Sequence, residues 1–163
     1  MRKRPLGKTG VEVSELALGT WGLSGDGYGA IVEAEADRVI DAAISGGITL
    51  FETADVYGKG AIETKLGERL PKGTVFVATK IGTDLAAKPA QKRFEPQFLE
   101  ESLDASATRL KRQVDIVLLH NPSVAAIEKG EACAFLREQK NVGKVRVWGV
   151  AAGSAEVARA AIE

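Results

Sequence analysis

Short apolar runs alternate with amphipathic segments along most of the chain. Runs such as "TVFVATK" and "VDIVLLH" are apolar through most of their length, which is typical of strands covered on both faces. Such strands occur in parallel sheets that lie under helices. The predicted strands are 16–21, 48–52, 74–80, 114–120 and 144–150.

Apolar positions recur at helical spacing between the predicted strands, as at Leu99, Leu103 and Leu110. The predicted helices are 33–47, 62–70, 95–111, 126–139 and 154–163. Gly130 weakens the fourth of them. The order strand then helix, repeated five times, predicts an α/β fold with a parallel sheet. The alternating segment at 4–16 predicts a β-hairpin in front of the first unit.

Polar residues end four of the five predicted strands. Thr20, Glu52, Lys80 and His120 each stand at a carboxyl end. In a parallel α/β sheet these ends face one side, where binding and catalytic sites are built. Tyr57 follows Glu52 by five residues, in the loop that leaves the second strand. We therefore expect these side chains to share one site.

These residue types can together form a proton donor. A tyrosine has a pKa of about 10, and a nearby ammonium lowers it by favouring the phenolate. Lys80 could be that ammonium, with Glu52 holding it in place. His120 could orient a substrate carbonyl or share the proton. Such a group would donate a proton to an oxygen that gains negative charge during a reaction.

Each residue also has a structural interpretation. A tyrosine in a loop bounded by glycines is commonly a packing or surface residue, and a lysine at a strand end is commonly solvated. His120 precedes Asn121-Pro122 and could cap a turn. Asp55 is expected to be a turn residue that bonds local backbone. The coincidence of four polar residues at one edge favours a site.

Composition narrows the class of protein. Lys plus Arg is 22 and Asp plus Glu is 22, so the formal net charge is zero, which argues against nucleic acid as the main partner. A single cysteine, Cys133, excludes an internal disulfide and indicates a reducing compartment. No secretory signal and no membrane-length apolar run is present. We expect a cytoplasmic protein with no membrane partner and no metal site.

The motifs in combination resemble the aldo-keto reductase superfamily. They are "LGKTGVEVSELALGTW", "FETADVYGKGAIETKLGERL", "VATK", "DIVLLHNP" and "GKVRVWGV", in family order and at family spacing. "TADVYG" is similar to the bacterial and potassium-channel-subunit branch. The resemblance implies a (β/α)8 TIM barrel closed at its bottom by the N-terminal hairpin, with NADPH across the C-terminal face.

The resemblance also implies roles for individual residues. Tyr57 would be the acid, Lys80 the partner that lowers its pKa, and His120 the residue that orients the substrate. The cofactor-binding strand end would be Gly19, Thr20 and Trp21. The implied reaction is NADPH-dependent reduction of an aldehyde or ketone to an alcohol, in which Tyr57 protonates the oxygen.

The length of the chain limits how many β/α units it can contain. An eight-unit barrel typically needs about 250 residues. Residues 1–163 are therefore expected to be one incomplete barrel domain, with the hairpin at 1–15 and the first five β/α units at 16–163. The last helix ends without a cap, which favours part of a longer chain. A smaller open sheet, used for assembly, is the other interpretation.

Three departures from the family pattern support a second hypothesis. Glu52 stands where the family has Asp, and its longer arm could displace the contact with Lys80. Ala151 and Ala152 replace the usual Ser-Asn pair that holds the nicotinamide carboxamide. The segments that bind the cofactor phosphates belong to barrel units beyond residue 163. The alternative function is a weak or inactive reductase-like protein that binds a nucleotide or a partner.

Overall fold

The structure, a computed structural model, describes all residues from 1 to 163. The strands are β1 (Lys3–Pro5), β2 (Glu12–Ser14), β3 (Leu18–Gly19), β4 (Leu50–Glu52), β5 (Phe76–Ile81), β6 (Thr83–Asp84), β7 (Gln91–Lys92), β8 (Val114–His120) and β9 (Val145–Ala151). The helices are α1 (Glu33–Ser45), α2 (Ala61–Arg69), α3 (Pro96–Leu110), α4 (Val124–Glu128), α5 (Glu131–Asn141) and α6 (Ala155–Ile162).

Five parallel strands form the central sheet, in the order β3-β4-β5-β8-β9. Each pairs with the next strand of the sheet along the chain, and helical segments connect them. The predicted α/β fold with a parallel sheet is confirmed. The carboxyl ends of β4, β5 and β8 lie side by side as a result.

The core lies where the helices pack on the sheet. Fully buried side chains from strands, such as Phe51 and Val117, meet fully buried leucines from helices, such as Leu66, Leu99 and Leu136. Burial of one such side chain contributes roughly 1.5–3 kcal/mol. This packing fixes the strand ends that carry the polar residues.

The predicted N-terminal hairpin is present. β1 and β2 pair antiparallel, with Arg4 opposite Val13. Ser14 and Thr49 join the hairpin to the segment before β4, because each backbone N–H donates to the hydroxyl of the other at 2.8 Å.

Two predictions of secondary structure need correction, and one hairpin was not predicted. The helix expected at 126–139 is two helices, because Gly130 has φ +77° and ends the first before Glu131 starts the second. The strand expected at 16–21 pairs only at Leu18–Gly19. The hairpin of β6 and β7 has no counterpart in the predictions.

The start of α6 is stabilised by a side-chain cap. Ser154 caps α6 by accepting from the backbone N–H of Val157 at 3.4 Å. The helices are all too short or too polar to cross a membrane.

Candidate active site

Tyr57 stands in a tight turn that the glycines of "YGKG" make possible. It opens a short 3-10 segment after β4, and Gly58, Lys59 and Gly60 have φ of 57°, 55° and 91°. Glycine adopts this left-handed region readily because it has no Cβ. A Cβ at Gly60 would come within 2.8 Å of the Arg109 side chain, so glycine is needed there for space as well. The turn directs the phenol toward β5.

Lys80 lies beneath the phenol. β5 buries it to 8% exposure, and its ammonium donates to the Tyr57 hydroxyl at 2.8 Å and to the Thr53 carbonyl at 2.9 Å. The ammonium also lies 4.6 Å from the centre of the tyrosine ring. The two groups that the sequence placed in one site are therefore in direct contact.

Glu52 completes the contact from the end of β4. Its Oε1 forms an ion pair with the Lys80 ammonium. The extra methylene relative to aspartate therefore does not displace the contact, contrary to the expectation. Gly19 on the adjacent strand leaves room, since a Cβ there would lie 3.4 Å from Glu52 Oε2. The carboxylate is one-third exposed, so water also solvates it.

His120 forms the far side of the site, at the end of β8. Its ring centre is 6.3 Å from that of Tyr57, and the two planes meet at 85°. Its Nδ1 is buried and has no hydrogen-bond partner. Burial, with the positive charges of Lys92 and Lys80, lowers the pKa of His120 to about 4. The imidazole is thus neutral at neutral pH and retains one N–H to donate.

The pKa of Tyr57 is shifted in the direction opposite to the expectation. Burial raises the pKa of Tyr57 above its ordinary value of 10.0, so the ammonium does not produce a net decrease. Burial lowers the pKa of Lys80 from 10.5 to about 8, while the Glu52 carboxylate acts in the opposite direction by favouring the ammonium. At neutral pH the site holds a protonated phenol on a charged lysine, which is the state a proton donor requires.

The predicted cofactor residues have three different environments. Gly19 is the last residue of β3. Thr20 is fully buried, and its hydroxyl donates to the Glu52 carbonyl at 2.9 Å. Its side chain therefore bonds the backbone of β4. Trp21 is 43% exposed, and its ring meets Tyr28 edge-on at 5.2 Å. Of these three, only Trp21 presents a side-chain surface to a planar ring.

A cleft of about 490 Å³ opens above Tyr57 and His120. Trp21, Leu85 and Val56 supply its apolar wall; Asp26, Lys59 and Asn121 supply its polar wall. A second cleft of about 530 Å³ lies beyond Val56 and Leu85 and includes Asp55, Glu101 and Arg109. The first cleft is large enough for a small organic molecule next to the phenol and imidazole.

The loop before α1 is tied to the turn that carries Tyr57. The Asp26 carboxylate accepts from the Gly58 N–H at 2.8 Å. Gly27 lies so close to Trp21 that a Cβ would come within 2.7 Å of the indole. The position of the indole wall thus depends on this glycine.

Ala151 and Ala152 lie at the end of β9 next to this face. Ala151 pairs with His120 in the sheet, and its carbonyl accepts from the Asn121 N–H at 3.0 Å. Neither alanine has a polar side chain, so a carboxamide near this edge would find backbone groups alone. The residues present fit the reacting end of a nicotinamide and carbonyl pair, because Tyr57 and His120 line one cleft and Trp21 adds a planar apolar wall.

Asp55 lies in a turn, as expected, and its carboxyl group accepts a hydrogen bond from the backbone N–H of Val56. Its Oδ1 is buried without a partner, and burial, with the nearby charge of Glu63, raises its pKa to about 7. Lys59, Asn121 and Asp26 also line the cleft, although their positions in the sequence did not predict it. Asn121 has φ +51°, and its place between a strand end and a proline was the available signal.

Comparisons with known proteins identify the family of this chain. A profile of the Aldo/keto reductase family matches residues 15–163. The chain belongs to the aldo/keto reductase family. Aldo-keto reductase YhdN of Bacillus subtilis is 30% identical over 162 residues, which covers 96% of this chain and 48% of that protein. The NADH-specific methylglyoxal reductase of Escherichia coli is 32% identical over 172 residues, covering 93% of this chain and 52% of that protein.

Solved structures of this family have the same fold. An aldo-keto reductase from Bacillus halodurans, in its holo form, superposes with a TM-score of 0.86 at 26% identity, over 98% of this chain and 53% of that one. The aldo/keto reductase chain described here thus spans about half the length of the relatives it matches.

Proposed function

We propose that this chain forms the catalytic part of an NADPH-dependent reductase that converts aldehydes or ketones to alcohols. The observation that carries the proposal is the hydrogen bond of 2.8 Å from Lys80 Nζ to the Tyr57 hydroxyl, at the base of a cleft that His120 also lines. Membership of the aldo/keto reductase family supports the same chemistry.

The residues have distinct tasks in this proposal. The substrate oxygen accepts hydrogen bonds from the Tyr57 hydroxyl and the neutral His120 N–H. Tyr57 transfers its proton to that oxygen, and the Lys80 ammonium stabilises the phenolate that remains. Glu52 holds the ammonium in place. The chemistry that NADPH supplies when bound is a hydride for the carbonyl carbon.

The cofactor part of the proposal rests on fewer contacts. Trp21 would cover one side of the nicotinamide, while Ala151 and Ala152 offer the carboxamide no side-chain donor. The name of one relative states that it is NADH-specific, so both dinucleotides need to be compared. We expect NADPH to give the higher kcat/KM.

We further propose that residues 1–163 are one domain, the N-terminal hairpin and first five β/α units of an eight-unit barrel. The parallel strands lie in chain order and leave β3 and β9 at the sheet edges, as an open barrel would. In the full-length protein, backbone amides of β3 and β9 should be protected from hydrogen exchange. Rapid exchange at both edges would argue for an open sheet.

The reaction is tested by following dinucleotide oxidation with a panel of aldehydes, using full-length protein and Tyr57→Phe. General acid catalysis contributes about 10²–10⁴-fold, so kcat should fall by that factor. Tyr28→Phe is the matched control, because Tyr28 is 81% exposed and outside the proton path. Unchanged turnover in Tyr57→Phe would exclude the proposed role.

A further inference from the structure

Lys59 has a backbone conformation that is unusual for its residue type. With φ +55° and ψ +39° it is the one residue with a Cβ in a left-handed run of three, between Gly58 and Gly60. L-residues with a Cβ occupy this region only at an energetic cost, because the Cβ crowds the following carbonyl oxygen. Backbone strain of this kind clusters at functional sites. A glycine at position 59 would remove this backbone strain, yet the residue is a lysine.

The turn holds the Lys59 backbone from both sides. On one side the Asp26 carboxylate accepts from the Gly58 N–H at 2.8 Å. On the other side Gly60 packs against the Arg109 side chain, which leaves no room for a Cβ. The base of the lysine side chain is therefore fixed relative to Tyr57. A pre-organised group loses less entropy when it binds a ligand.

The Lys59 ammonium has no acidic partner. The other lysine of the site, Lys80, is paired with Glu52, and the control residue used below, Lys111, is paired with Glu68. Lys59 forms no ion pair or side-chain hydrogen bond within the chain, although it lines the cleft above Tyr57 and His120. A free cation is thus available to whatever occupies that cleft.

Lys59 is close to the reacting group along the chain. It follows Tyr57 by two residues, and both side chains line the first cleft. Lys59 also borders the second cleft, where Arg109 is already paired with Glu63 and the carboxyl groups of Asp55 and Glu101 disfavour an anion. In the first cleft the single carboxylate, Asp26, is already bound to Gly58.

We propose that Lys59 makes this site selective for aldehydes or ketones that carry a carboxylate or another anionic group. The carbonyl oxygen would lie at Tyr57 and His120 while the anionic group meets the Lys59 ammonium. The proposal rests on the reductase function proposed above. Electrostatic complementarity of this kind contributes more to specificity than to affinity.

The test compares 4-carboxybenzaldehyde with benzaldehyde in full-length wild type, Lys59→Met, Lys59→Gly and Lys59→Arg. The ratio of the two kcat/KM values should fall about fivefold in Lys59→Met, mainly through the KM of the charged aldehyde, since a partly exposed ion pair contributes about that factor. Lys59→Gly removes the charge together with the backbone strain, and should lower the ratio equally. Lys59→Arg should retain it.

Lys111→Met is the matched control. Lys111 also has a left-handed backbone, with φ +54°, but it caps α3 and pairs with Glu68. Its substitution should leave the ratio at the wild-type value. A ratio that changes less than twofold in both Lys59→Met and Lys59→Gly would overturn the proposal.

Binding separates this proposal from the reductase function. Trp21 lines the cleft, so its fluorescence should respond to 4-(hydroxymethyl)benzoate or benzyl alcohol. Wild type should bind the benzoate more tightly, and Lys59→Met should lose that preference, even in a protein that turns over neither aldehyde. Equal affinity of wild type for the two alcohols would overturn the role of Lys59 and leave the role of Tyr57 untouched.

Discussion

Two acid–base pairs of this molecule have opposite surroundings. The Glu52–Lys80 pair lies at the strand ends beneath Tyr57, and the Glu63–Arg109 pair joins α2 to α3. Glu63 is fully buried, and both of its oxygens are satisfied, by the Thr79 hydroxyl at 2.5 Å and by Arg109 Nε at 2.7 Å. Such a pair holds one arrangement of helices and strand.

The Glu52–Lys80 pair has unsatisfied neighbours instead. His120 Nδ1 and Thr53 Oγ1, from two residues next to Lys80, are buried without a partner. Buried polar atoms are ordinarily paired, and exceptions call for an explanation such as a catalytic role. The difference indicates that the Glu63 cluster contributes to the fold, whereas we expect the Lys80 cluster to meet a ligand.

The largest expected effect is on catalysis. Lys80→Met removes the ammonium that supports the phenolate, so kcat should fall about 10²–10⁴-fold. The free energy of unfolding should change by less than about 1.5 kcal/mol, because the loss of contacts is offset by removal of a buried charge. Urea unfolding alongside steady-state kinetics measures both. A large loss of stability would place Lys80 among the structural residues.

The corresponding substitution in the second ion pair is Glu63→Gln. It keeps the shape but leaves the Arg109 guanidinium without its carboxylate, and should lower the free energy of unfolding by about 3 kcal/mol. The kcat of the folded protein should remain within a few-fold. Glu68→Gln on the same helix is the control, since Glu68 is 57% exposed and its pair with Lys111 contributes little. Equal stability of Glu63→Gln and Glu68→Gln would contradict the structural role.

Gly67→Ala probes the packing next to the buried pair. A Cβ at Gly67 would come within 2.4 Å of the Arg109 carbonyl, and backbone cannot move aside as a side chain can. Overpacking of this kind destabilises a protein by about 1–3 kcal/mol. Thermal unfolding should show the loss. Gly153→Ala is a control for space, since its φ lies outside the left-handed region and the nearest atom to a Cβ there is 3.7 Å away.

The same conservative change at both acids gives the smallest effect. Glu52→Asp should alter kcat/KM by less than about tenfold, because the carboxylate is partly solvated and can adjust its contact with Lys80. Glu63→Asp should destabilise measurably, since its two partners have fixed positions. A gain in rate of more than tenfold in Glu52→Asp would instead support the hypothesis of an impaired reductase.

The parallel sheet and the convergence of the site were predictable from the sequence. Apolar runs covered on both faces specify parallel strands, and parallel strands place Glu52, Lys80 and His120 at one edge whatever the details of packing. The five-residue spacing of Glu52 and Tyr57 then limits where the phenol can lie.

Other features had no such signal. β6 and β7 are two residues each and consist of Thr83, Asp84, Gln91 and Lys92, so no alternation marks them. Glu63 in the first turn of a helix is typical of a solvated acid, and only the meeting of α2 with α3 buries it. The net pKa of Tyr57 depends on burial, which residue order does not reveal.

The pH dependence of kcat/KM tests the central claim most directly. The pKa of Lys80 is about 8, and that of His120 is about 4. Wild type should therefore keep a plateau from about pH 5 and lose activity as pH rises through about 8, when the ammonium loses its proton. Lys80→Met, at its lower rate, should lack this alkaline decrease. An unchanged decrease near pH 8 in Lys80→Met would contradict the account of a phenol supported by the Lys80 ammonium.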